Sequence, residues 1–177
     1  MSQKVTIFCA VLSVVFLLSA CGMMAKMMGM GDMMNSMENM DKVMKDMNMQ
    51  QRKQHMMAKQ KEMLAYGNKL FHDASLGSNG QNCASCHPNG GTIGGEAQVP
   101  MTKMKLPIPS LAGASATFPK YKVPNDRVIT LDQMDNNCIK MFMQGKPLAL
   151  NSREAIALAM YVTSFSNGEK IDVTSSN

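Results

Sequence analysis

Cys83-Ala84-Ser85-Cys86-His87, running into Pro88-Asn89-Gly90-Gly91, is the stretch of this 177-residue chain whose reading decides the rest. Two thiols three positions apart, with an imidazole directly after the second, fit one short helical turn. Such a turn presents both sulfurs to one edge of a porphyrin and the imidazole to its face, so the segment reads as a c-type haem attachment. A dithiol redox motif and a zinc half-site fit less well, because no second C-x-x-C occurs and the segment opens into a loop. One such motif implies one covalent haem c, with Cys83 and Cys86 as attachment points and His87 as an iron ligand.

The other cysteines of the five divide by position. Cys9 lies within Val5 to Leu18, a run apolar except for Thr6 and Ser13 that follows Lys4. With Leu18-Ser19-Ala20-Cys21 after it, residues 1–20 read as a secretory signal, too short for a comfortable membrane span. Leu-Ser-Ala-Cys looks like a bacterial lipobox, in which the cysteine receives a diacylglycerol and becomes the mature N-terminus. Acyl chains contribute about 0.8 kcal/mol per buried CH2, enough for several chains to hold a protein on a membrane surface. The expectation is an exported lipoprotein anchored through Cys21 on the periplasmic side of a bacterial membrane; Gly22 is compatible with the outer one. A cytoplasmic enzyme and a multipass membrane protein are excluded by the same reading. Cys138 is left alone, and an odd thiol in an exported protein is buried, paired between molecules, reactive or a ligand.

Outward from the haem peptide the chain divides into the signal, a tether over 21–58 and one domain over 59–177. Fifteen of the 22 methionines fall between Met23 and Met63. Met33, Met37, Met40, Met44 and Met47 alternate spacings of four and three, which aligns them on one face of an amphipathic helix that Asp32 can cap. Thioethers at such spacings suit Cu(I); an adaptable apolar face for a partner, a neighbouring tether or lipid is the other reading. His55 is the one histidine nearby.

In the domain, Met63, Leu64, Tyr66, Leu70 and Phe71 predict a helix over 60–74, with His72 near its end. His72 as a second iron ligand is the weaker reading, since it precedes the haem peptide. Residues 88–130 hold six of the seven prolines and predict a long wrap rather than helices. A helix from Leu131 to about Gln144 stops at Gly145-Lys146-Pro147. A last helix over 153–166, capped by Asn151 or Ser152, carries Ala155, Ile156, Leu158, Ala159, Tyr161, Val162 and Phe165 on a broad apolar face. Together these predict an all-α, small cytochrome c fold with covalently attached haem, preceded by a lipidated Met-rich tether.

Gly67-Asn68-Lys69-Leu70-Phe71, Leu76-Gly77-Ser78-Asn79-Gly80 and Cys83 to Pro88 resemble the opening of many monohaem cytochrome c domains. Leu111 to Tyr121, Val128 to Gln133, Asn137-Cys138-Ile139, Gly145-Lys146-Pro147-Leu148 and Ala159 to Ser166 resemble the haem domains of thiosulfate dehydrogenases and SoxXA-type sulfur-oxidation cytochromes. The resemblance spans roughly 63 to 172 and none of the methionine segment. It implies that Cys138 ligates the iron opposite His87 and takes part in sulfur chemistry, with Lys146 retained at the Gly-Lys. The family commonly writes Cys-x-x-Arg before that Gly-Lys; here Met141 replaces the arginine and Lys140 stands beside it. A bidentate anion-binding group is thereby absent from that position. Met143 aligns where related cytochromes carry methionine and is the alternative iron ligand, followed by Met141, which is three residues from Cys138 on one helical face, and Met134.

Two functions follow as expectations. The first is single-electron transfer between redox protein partners, a second cytochrome among them, in an extracytoplasmic respiratory or sulfur-oxidation chain. The second is a thiosulfate dehydrogenase-like oxidoreductase acting on small sulfur anions, with Cys138 catalytic. Lys103, Lys105, Lys120, Lys122 and Arg127 against Asp126 leave +4 over residues 101–127, which suits an anion or an acidic partner. Nucleic acid is not an expected partner. A two-electron sulfur oxidation needs an electron sink beyond one haem, which favours the carrier.

Overall fold

The computed structural model describes residues 30–174, so the signal, Cys21 and Gly22 lie outside the described residues. The chain divides at Met56/Met57 into two units. In the first, helix α1 runs Met30–Asp46 and α2 begins at Met49, continuing to Phe71. The break between them is chemical. The Asn48 side chain accepts from the Gln51 N–H at 2.9 Å, and Gln51 Oε1 accepts from the Asn48 N–H at 2.9 Å, a reciprocal cap that starts a new helix. A helix expected from Gln60 therefore starts eleven residues earlier, at Met49. The Gln, Lys, Arg, Met and Ala residues between propagate helix by propensity without needing an apolar face.

The second unit is built on three helices around the haem peptide. Beyond α2, Cys83–Cys86 forms the short α3, Leu131–Met141 forms α4 and Arg153–Thr163 forms α5. Leu70 and Phe71 of α2, Ile139 of α4, and Ala157, Leu158 and Val162 of α5 make the core together with Met143. The α2–α5 crossing depends on Gly67: a Cβ there would lie 2.0 Å from the Ala157 carbonyl oxygen and 2.7 Å from Tyr161 Cβ. At the rim of this crossing the Tyr66 hydroxyl donates to Glu154 at 3.0 Å, and the Arg153 guanidinium lies over the Tyr66 ring.

The wrap between α3 and α4 is not wholly irregular, and the all-α expectation is incomplete there. Strands β1 (Gly95–Gln98) and β2 (Lys105–Ile108) pair antiparallel, Gly95 opposite Ile108 and Gln98 opposite Lys105. Strands β3 (Lys120–Lys122) and β4 (Arg127–Ile129) form a second antiparallel pair. Prolines prevent helix here, but two-stranded ribbons tolerate Pro107 because every strand in them is an edge.

Helix α4 ends one turn earlier than its apolar pattern suggests. Gln144, not a glycine, takes the left-handed conformation at φ 55°, and the Gly145 N–H closes back on the Ile139 carbonyl at 2.9 Å. Gly145 is required for another reason: a Cβ would sit 1.9 Å from the Leu76 carbonyl oxygen. The loop after α2 thus lies backbone against backbone on this turn. The Ser78 N–H donates to the Met143 carbonyl at 3.0 Å, and the Asn79 amide to the Phe142 carbonyl at 2.8 Å.

Candidate functional site: a cavity around the haem peptide

Asn82 fixes α3. Its side chain accepts from the Ser85 N–H at 2.9 Å, while its own N–H donates to Ser85 Oγ at 3.1 Å. The Asn82 amide also donates to the His72 carbonyl at 3.0 Å, tying the turn to the end of α2. His72 serves through that carbonyl. Its ring is exposed, with Nδ1 2.9 Å from the Asn68 carbonyl, and it does not line the cavity described next.

Cys83, Cys86 and His87 line a small, partly open cavity. Phe71 of α2, Ile108 and Leu111 of the wrap, and Leu158 and Val162 of α5 make it largely apolar. From α4 and the turn after it come Asp135, Cys138, Phe142 and Met143. Cys138 and the haem peptide, distant in sequence, are therefore brought to one cavity. Met143 shares that wall and is only 2% exposed. Met141 is 39% exposed and, like Met134 and the exposed Lys146, is not on the cavity wall.

Electrostatics follow from burial. Desolvation pushes the Cys83 thiol up to about 12, with the nearby Asp135 carboxylate adding to it. The Cys86 thiol is raised by burial as well. Cys138 is raised strongly, by burial first and then by Asp135, while the positive charge of Lys122 pulls the other way. Burial lowers His87, and the Pro109 carbonyl opposes that shift although its contact with the ring falls outside hydrogen-bond geometry. Asp135 is pushed up to about 7 by burial and by Asp132.

These residues fit a covalently held haem. An apolar cavity offers two thiols, one imidazole and a further soft sulfur, the donor types that haem attachment and axial ligation use. The buried His87 Nδ1 and Asp135 Oδ2 lack hydrogen-bond partners. Asp135 and Asn82 were not singled out from the sequence, and Lys122 only as one charge of the basic stretch. The signals existed for both: Asn82 stands at the cap position before the Cys83 turn, and Asp135 precedes Cys138 by three residues on one helix face.

A short C-x-x-C-H helix held against crossing helices, with a soft-ligand wall facing it, defines the class of small c-type haem domains. The chain belongs to the family described as SoxA/TsdA, cytochrome c domain, which matches residues 66–171. A cytochrome c domain of this family carries haem c. Thiosulfate dehydrogenase of Allochromatium vinosum is 31% identical over 91 residues, covering 51% of this chain and 30% of that protein. L-cysteine S-thiosulfotransferase subunit SoxA of Chlorobaculum tepidum is 27% identical over 96 residues, covering 54% of this chain and 26% of that protein. Among solved structures, thiosulfate dehydrogenase (TsdBA) from Marichromatium purpuratum, as isolated, aligns at 24% identity with a TM-score of 0.46, covering 63% of this chain and 24% of that one. The chain thus spans under a third of the length of these relatives.

Proposed function

We propose that this protein is a membrane-tethered, extracytoplasmic cytochrome with one haem c, carrying single electrons in a respiratory or sulfur-oxidation chain. The observation that carries the reading is that Cys83, Cys86, His87 and Cys138 all line one largely apolar cavity in a single small unit. Cys83 and Cys86 hold the haem, His87 ligates its iron, and Cys138 is the second ligand, with Met143 the alternative. When bound, haem supplies a one-electron couple whose potential the axial ligands set. The chain's residues do the rest: Phe71, Leu158 and Val162 line the cavity with apolar surface and exclude water.

Lipidation of Cys21 would leave residues 21–58 as a tether on the periplasmic side of the membrane, outer by preference. No helix among the described residues is long and apolar enough to cross a membrane. Confinement near a surface raises the concentration of the haem domain seen by neighbouring redox proteins. Lysines and Arg127 of the wrap offer a docking face for an acidic partner, a second cytochrome among them, although Lys105 is partly neutralised by Glu96 at 2.8 Å.

One observation favours the second reading, a thiosulfate dehydrogenase-like oxidoreductase acting on small sulfur anions. Lys122 is near enough for its charge to favour the Cys138 thiolate, and the same charge would attract an anion. Against it, Lys146 and Met141 lie away from the cavity wall. Spectroscopy of the purified protein, with and without Cys138→Ser, decides. A thiolate-ligated low-spin haem that changes on substitution, and is not reduced by added thiosulfate, is expected. A methionine-type spectrum indifferent to the substitution transfers the ligand role to Met143; haem reduction by thiosulfate overturns the carrier reading.

A further inference from the structure

Helix α1 has a composition that burial alone does not explain. Of the nine residues with aliphatic, aromatic or sulfur-containing side chains between Met30 and Met49, eight are methionine, and Val43 is the exception. Leucine, isoleucine, phenylalanine and alanine are absent from the stretch, yet they dominate the core of the second unit. Leucine and methionine are close in volume and exchange in cores at small cost, and they are similar helix formers. A face meant for fixed packing, like a core, has no reason to exclude leucine. What methionine adds is an unbranched, flexible chain that ends in a polarizable thioether.

Helical spacing puts Met37 within reach of both Met33 and Met34. Met33, Met34 and Met37 occupy one turn of α1, and helix positions three and four apart lie roughly 5–6 Å apart at Cβ. Unbranched side chains with three rotatable bonds can close that gap without moving the backbone. Their exposures are 65%, 70% and 59%, and Met40, three residues further on, is 60% exposed, so none is committed to packing. The local charge suits a cation. Asp32, Glu38, Asp41 and Asp46 outnumber Lys42 and Lys45, giving −2 between Met30 and Met49 on a chain of net +5. No lysine or arginine falls between Met30 and Met40.

We infer that α1 carries a Cu(I) site built from thioethers, with Met33, Met34 and Met37 as ligands and Met40 adjoining them. Neutral, soft thioethers select Cu(I) over the hard cations, which take oxygen ligands. Among the described residues no cluster of three His, Cys, Asp or Glu is placed to hold a metal, so the site stands on methionine alone. The ion is taken up and released as Cu(I), with no electron transferred, and the inference is independent of which residue ligates the haem iron.

The test is an anaerobic titration of the full-length holoprotein with Cu(I) against a chromophoric Cu(I) chelator, beside the Met33→Leu, Met34→Leu, Met37→Leu triple variant. Leucine keeps the helix and its apolar face, which far-UV circular dichroism checks. The wild type is expected to bind at least one Cu(I) that the variant loses or holds more than about tenfold more weakly, since even groups that merely support a metal ligand are worth 10–100-fold. X-ray absorption of the wild type at one equivalent should show a sulfur-only shell, and it should be unchanged by Cys138→Ser. Equal stoichiometry and affinity in the two proteins, or a first equivalent bound by nitrogen, oxygen or the Cys138 thiolate, overturns the inference.

Discussion

Replacing Gly67 by alanine tests whether the α2–α5 crossing is set by backbone contact. In an exposed helix this change would stabilise, by about 0.8–1 kcal/mol, because alanine is the better helix former. Here the added Cβ would lie 2.0 Å from the Ala157 carbonyl oxygen and 2.7 Å from Tyr161 Cβ. The closest obstacle is backbone and cannot rotate away, so α2 must shift from α5. Overpacking of this kind costs about 1–3 kcal/mol, and a rigid obstacle places it near the upper end. Subtracting the propensity gain leaves about 2 kcal/mol of destabilisation. For a unit of this size that corresponds to a fall in Tm of roughly 8 °C. Thermal unfolding of the holoprotein by circular dichroism reads the effect, with Asn68→Ala, its exposed neighbour, as the control. Asn68→Ala should leave Tm unchanged or slightly raised. A Gly67→Ala protein as stable as the wild type would refute the crossing geometry.

Asp135→Asn should alter the pH dependence of stability. Burial holds the carboxyl near 7 in the folded protein against 3.8 ordinarily, so folding disfavours its charged form. The penalty is absent below about pH 4, grows as pH rises through the window between these values, and is complete above about pH 7. Denaturant unfolding should therefore show the wild type losing stability across that window, by a few kcal/mol at most, and the variant staying flatter; parallel profiles would show that Asp135 is solvated. Cys21→Ala should release the protein from membranes into the soluble fraction, and continued sedimentation with membranes would refute lipid anchoring.

The haem peptide was legible because its chemistry is local: two thiols, one imidazole and their spacing lie within one turn. The start of α5 was legible at Ser152, whose hydroxyl oxygen accepts from the Ala155 N–H at 3.2 Å, and the end of α4 to within one turn at Gly145-Lys146-Pro147. The two ribbons in the wrap were not, since their pairing depends on which short segments meet rather than on alternation within them. Helical periodicity also misleads about Met141. It places Met141 with Cys138 on one face, but the Met143 N–H turns back toward the Cys138 carbonyl at 3.3 Å, bringing Met143 to the cavity and leaving Met141 partly in solvent.

By itself, then, the sequence determined the attachment turn, the helical segments that frame it and the odd thiol at Cys138, because each is written within a few neighbouring residues. Only the tertiary structure decided which distant groups share a cavity. Asp135, Cys138 and Met143 reach it because α4 ends in a tight turn on which the Leu76–Asn79 loop lies. Gly67 and Gly145 are fixed by what lies across from them, the carbonyls of Ala157 and Leu76. A close approach between backbones far apart in the chain leaves only a small residue as its trace, and a glycine in the sequence does not say what it faces.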